Sequence, residues 1–114
     1  MSETLGDRLK RKRSERGLGL RATAIKVGVS ATYLSRVENN LEANPTEEKI
    51  RALAVVLQDN FDELMHLAGR VPVDVTDFIK TDLNMPAFLR RARDNNISAE
   101  ELMKMLEKQD SKNK

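Results

Sequence analysis

The chain has 114 residues, 39% hydrophobic and 33% charged, which suits one small domain with an appendage rather than two full cores or a disordered polymer. It holds no Cys, one His, three Phe, one Tyr and no Trp. Disulfide scaffolds, thiolate chemistry and Cys-based metal sites are therefore excluded, and an aliphatic core points to packed helices. The longest apolar run, residues 52–57, is far too short to cross a membrane. No apolar stretch follows the charges near the N-terminus, so the expected location is the cytoplasm.

Net charge is +2 but unevenly spread. Residues 1–36 carry nine Lys/Arg against three Asp/Glu, residues 37–70 three against seven, and residues 71–114 eight against eight. The basic first third predicts a surface near the N-terminus that faces a polyanion.

Helical spacing and punctuation predict an all-α chain. Leu5 and Leu9 share a face of a first helix over residues 4–15, ended by Gly17. A second runs from Leu20 to Val27, closed by Gly28, and a third from Ala31 to Glu38, capped by Ser30 and ended by Asn39 and Asn40. After a turn at Asn44-Pro45, a fourth begins near Thr46 and carries Ile50, Leu53, Ala54 and Leu57; a fifth spans about 60–68 before Gly69. Residues 70–75, with Pro72, read as a linker. Beyond it, short helices are expected over 75–81, from an Asn84 cap to about Asp94, and from the Ser98/Glu101 capping box onward. The expected layout is a domain over residues 1–70, a helical segment over 71–109 and a disordered tail over 110–114.

Residues 20–39 carry the functional signal. A helix-turn-helix needs a small residue in its first helix, Gly at the turn, and apolar residues facing the core around them. Ala24, Gly28, Val27, Val29, Leu34 and Val37 fill those places, while Thr23 stands where an aliphatic residue is expected.

With Gly17-Leu18, Ala24, Gly28-Val29-Ser30, Tyr33-Leu34-Ser35 and Val37-Glu38, the chain resembles the lambda-repressor-like helix-turn-helix regulators, the XRE or Cro/C1 family, over residues 3–69. The resemblance implies a five-helix DNA-binding domain whose third helix enters the major groove. Ala31, Thr32, Ser35 and Arg36 would then face base edges, with Arg36 suited to guanine O6 and N7. Tyr33 would pack its ring or reach a phosphate, and Asn39 and Asn40 resemble backbone-contacting positions. Leu20 stands where the family places a phosphate-contacting polar residue, a role open to Arg21. Arg13 continues the Leu5–Leu9 stripe, and the family pattern pairs it with Glu38. Most of the remaining basic residues there, among Arg8, Lys10, Arg11, Lys12 and Arg16, read as a solvated face.

The lone His66 reads as a partly buried structural residue, because a metal site would need further ligands. Asp59, Asp62 and Glu63 read as helix-start residues favoured by the dipole. Neither a phosphate loop nor a nucleophile–base spacing is present, so neither enzyme activity nor a cofactor is expected.

Phe78, Ile79, Phe88, Leu89, Ile97, Leu102, Met103 and Leu106 are more apolar surface than three short helices bury alone. The layout, with Asn40-Leu41 and Asn44-Pro45 after the third helix, resembles small sporulation and biofilm repressors with a helical multimerisation module. Phe78, Ile79, Phe88, Leu89, Leu102 and Leu106 are the candidate dimer or partner surface. The expected function is a homodimeric regulator of double-stranded DNA, most simply a repressor on a partly palindromic operator. The alternative is an antitoxin or anti-repressor module that grips a protein antagonist or toxin.

Overall fold

A computed structural model describes residues 3–112, which form eight α-helices and no strand. The helices are α1 (Leu5–Glu15), α2 (Leu20–Val27), α3 (Ala31–Glu38), α4 (Glu47–Leu57), α5 (Phe61–Leu67), α6 (Val73–Thr81), α7 (Met85–Asp94) and α8 (Ala99–Lys112). They fall into two compact units divided between Pro72 and Val73, two residues beyond the expected boundary.

Local chemistry explains the starts. The hydroxyls of Ser30 and Thr46 and the side-chain carbonyl of Asn60 accept from the N–H groups of Tyr33, Lys49 and Glu63. Thr4 and Asp7 form a full capping box on α1, not evident from the sequence because Asp7 stands where Glu or Gln is usual. α2 alone in this unit starts on a glycine, Gly19, with no side-chain cap.

All five helices of the first unit end with one residue in the left-handed conformation: Gly17, Gly28, Asn40, Gln58 and Gly69. After α3, the Asn40 N–H donates to the Val37 carbonyl at 3.1 Å and the Leu41 N–H to the Arg36 carbonyl at 2.8 Å, a Schellman motif. Gln58 carries a Cβ at φ 53° without the local hydrogen bonding that makes Asn tolerable there. Its exposed amide oxygen accepts from Arg16 Nη1 at 2.9 Å. Gln58→Gly should raise the stability of this unit by about 0.5–1 kcal/mol, the relief of left-handed strain exceeding the added chain entropy. A higher urea midpoint by circular dichroism would show it.

The core is aliphatic. Leu5 and Leu9 of α1 join Ala24, Leu34, Val37, Ile50, Leu53, Leu57, Leu64 and Met65 in one cluster. Thr23 is 1% exposed, yet its hydroxyl donates to the Gly19 carbonyl at 2.8 Å. With that polar atom bonded, its methyl side can pack where the pattern expected an aliphatic residue.

The second unit is built differently. α6 and α8 bury no side chain and α7 buries only Ala92. α6 begins at Val73 rather than Val75. Asn84 occupies the cap position of α7, but its side chain makes no capping bond; its N–H donates instead to Asp82 Oδ1 at 2.9 Å. The Ser98 hydroxyl accepts from the Glu101 N–H at 3.1 Å. The expected tail is corrected over residues 110–112: α8 continues through Lys112, since neither Gly nor Pro interrupts it and the Glu100–Lys104 pair spans one of its turns. Residues 113 and 114 lie outside the described residues. Among the described residues no helix is long and apolar enough to cross a membrane.

Candidate nucleic-acid interface

The outward face of α3 and the start of α2 enclose an open groove lined by Leu20, Arg21, Ala31, Thr32, Ser35 and Arg36. Ser30 and Leu34 explain why this face is presented. Ser30 starts α3 abruptly by capping the Tyr33 N–H at 3.0 Å, while buried Leu34 and Val37 turn the opposite face into the core. Gly28 makes the preceding turn at φ 87°. No atom lies within 4 Å of where its Cβ would stand, so glycine is needed there for its backbone conformation and not for space.

Thr32 and Arg36 are exposed, Ala31 and Ser35 half-buried. Arg21 is exposed, whereas Leu20 is half-buried against the core cluster. Tyr33 packs its ring on that cluster beneath Lys49 Nζ, 4.5 Å from the ring centroid. Asn39 and Asn40 are exposed but occupied at the helix end. Asn39 Nδ2 donates to the Ser35 carbonyl at 2.7 Å, and left-handed Asn40 sets its Oδ1 against Gly6 of α1.

The orientation of α3 depends on α1. Arg13 Nε and Nη2 meet Glu38 Oε2 and Oε1 at 2.8 and 3.0 Å, and Arg13 Nη1 donates to the Leu18 carbonyl at 2.9 Å. Glu38 is 5% exposed, and its hydrogen bonds raise the Arg13 pKa against the opposing effect of burial. Beside this pair, Gly6 lies directly against the α3 backbone: a Cβ there would stand 2.6 Å from the carbonyl oxygens of Val37 and Glu38.

A second bidentate pair was not legible in the sequence. Arg8 Nε and Nη2 donate to Asp59 Oδ2 and Oδ1 at 2.9 and 2.7 Å, so Arg8 is no part of a solvated face and Asp59 does more than begin a helix. Burial would raise the Asp59 pKa, but the bonds from Arg8 and the Asn60 N–H, with the charges of Arg8 and Lys12, hold it below its ordinary value. Nor is Arg11 unpaired, since Glu3 and Glu15 hold it. Much of the basic excess counted over residues 1–36 is therefore matched within the fold. The cations beside the groove are Arg21 and Arg36. His66, expected to be partly buried, is exposed on α5. Among the described residues no three His, Asp or Glu side chains are gathered to hold a metal.

In the second unit, Phe78, Phe88, Leu89 and Leu106 are exposed, and Ile79 and Leu102 half-buried. Phe88, Ala92, Ile97 and Leu102 line an apolar groove of about 450 Å³ between α7 and α8.

Five short helices, with a glycine turn presenting the exposed start of the third, define a helix-turn-helix domain. A family model described as a helix-turn-helix domain matches residues 4–67. The chain belongs to this helix-turn-helix domain family. It is 36% identical over 62 residues to the HTH-type transcriptional regulator SinR of Bacillus licheniformis, covering 54% of this chain and 56% of that protein. It is 36% identical over 69 residues to the HTH-type transcriptional repressor RghR of Bacillus subtilis, covering 60% and 51%. The chain thus spans about half the length of the curated relatives it matches. A crystal structure of the biofilm regulator SinR in complex with DNA aligns with a TM-score of 0.51 at 35% identity, covering 54% of this chain and 98% of the other. A SinR–SinI protein complex aligns with a TM-score of 0.52 at 25% identity, covering 96% and 98%.

Proposed function

We propose that the chain is a sequence-specific regulator of double-stranded DNA that binds as a homodimer to a partly palindromic operator and represses by occupying it. The observation that carries this reading is the groove itself. It sets side chains along α3, from Ala31 to Arg36, beside Arg21 and the α2 N-terminus, whose first N–H groups have no side-chain cap to compete with a phosphate. Thr32, Ser35 and Arg36 offer donors to base edges, Ala31 a small apolar contact to a thymine methyl, and Arg21 a phosphate contact. Asn39 and Asn40 contribute at the backbone after ending α3. The alignment of this unit with a SinR structure solved with DNA supports the DNA-binding reading.

Homodimerisation has its own support. The second unit buries one side chain while exposing Phe78, Phe88, Leu89 and Leu106, and a face this apolar calls for a partner. A second copy would set two α3 helices on half-sites about 34 Å apart. The repressor RghR is among the relatives. A gel shift with genomic fragments tests the reading: selective, salt-sensitive retardation is expected, and its absence at sub-micromolar protein would sink it. Arg36→Ala should weaken operator binding by about 1–3 kcal/mol and blur one base-pair position without altering the fold.

A second reading, a module that grips a protein antagonist or toxin, is favoured by the same apolar face and by the alignment with a SinR–SinI complex. A pull-down that returns a second protein in place of the chain itself would support it over the homodimer.

A further inference from the structure

Arg36 is held at the end of α3. Its Nε lies 3.1 Å from Glu42 Oε2, and its Nη2 donates to the Leu41 carbonyl at 3.0 Å. Leu41 is fixed in turn, because its N–H bonds the Arg36 carbonyl in the Schellman motif. A guanidinium presents its donors as a planar fork. Glu42 and Leu41 engage the edge made by Nε and one Nη2 proton. The other edge, Nη1 with the second Nη2 proton, is a pair of parallel donors of the kind that meets guanine O6 and N7.

We propose that Glu42 is a positioning residue that sets sequence selectivity by holding Arg36 end-on to a base edge; this rests on the DNA-binding reading above. Two effects act in the same direction. The ion pair removes rotamer freedom from Arg36 before DNA arrives, so less is lost on binding. The carboxylate also opposes a phosphate near Arg36, while an uncharged base edge meets much less repulsion. Non-specific capture of the backbone falls and base recognition is kept. Glu42 is exposed, and no helical or strand periodicity links it to Arg36, so its role was invisible in the sequence.

The test uses the full chain and duplexes enriched from a random-sequence DNA library, each competed against a scrambled duplex. Glu42→Ala should lower the ratio of selected to scrambled affinity about tenfold, the scale of one lost base contact, and steepen the salt dependence by about one phosphate contact. Glu42→Gln keeps an oxygen for Arg36 Nε but removes the charge. It should retain the base preference while steepening the salt dependence, and it covers the case in which the alanine variant folds poorly. A folded Glu42→Ala that is as selective as the parent, or a Glu42→Gln with the parent's salt dependence, overturns the proposal. If the parent enriches no duplex, the DNA-binding reading itself fails, and the role of Glu42 with it.

Discussion

Replacing Arg13 by alanine is expected to destabilise the first unit by about 3–5 kcal/mol, because it strands the Glu38 carboxylate in a site that is 5% exposed. Glu38→Ala should cost less. The Arg13 side chain keeps 17% of its surface in water and retains the Leu18 carbonyl, so its charge is not stranded in the same way. The double variant Arg13→Leu/Glu38→Leu should recover most of the loss, since an apolar pair can replace a buried ion pair at little cost. Urea unfolding followed at the helical circular dichroism band separates the three. Equal losses for the two single variants would show that the buried carboxylate is not the source of the penalty. Typical domain stability is only about 5–15 kcal/mol, so Arg13→Ala should impair DNA binding through the fold rather than through any contact.

Gly6→Ala is expected to destabilise by about 1–3 kcal/mol, against the usual sign for this change within a helix. Alanine would normally gain close to 1 kcal/mol in propensity. Here its methyl carbon would stand 2.6 Å from two backbone carbonyl oxygens and 2.7 Å from Asn40 Oδ1. The Asn40 side chain can swing away, but the carbonyls belong to the last turn of α3 and move only if α1 and α3 separate. That separation would also stretch the Arg13–Glu38 pair, so the two changes should be non-additive. A lower urea midpoint for Gly6→Ala is the expected reading, and a midpoint at or above the parent's would show that the joint relaxes freely.

These two sites show what could be read in advance. Arg13 was legible because it continues a stripe of apolar positions, where a lone charge needs a partner. Gly6 carried a weaker signal, a glycine inside a helix, and only the approach of α3 makes it obligatory. The helix boundaries from Leu5 to Leu67 followed closely from caps and left-handed closures, which are local chemistry. In the second unit the same rules faltered: Asn84 does not cap with its side chain, and α8 continues through residues expected to fray. Helix ends there are set by weak propensities, with little core packing to sharpen them.

The candidate interface was half legible. Spacing around Gly28 located the groove, while the partners of Arg36 come from beyond a helix end, where no periodicity operates. The Arg8–Asp59 pair joins residues 51 positions apart and left no trace in composition.

By itself the sequence determined the helices, the helix-turn-helix and its apolar face, because each rests on residues within a few turns of one another. The tertiary structure decided the charge. A basic first third and an acidic middle looked like separate surfaces, but Arg8, Arg13 and Arg36 meet Asp59, Glu38 and Glu42 across that division. Counting charges along a chain is blind to pairing, because an ion pair needs about 3–4 Å in space and no fixed separation in sequence. The candidate polyanion-facing surface thereby narrows from a basic third of the chain to the groove beside Arg21 and Arg36.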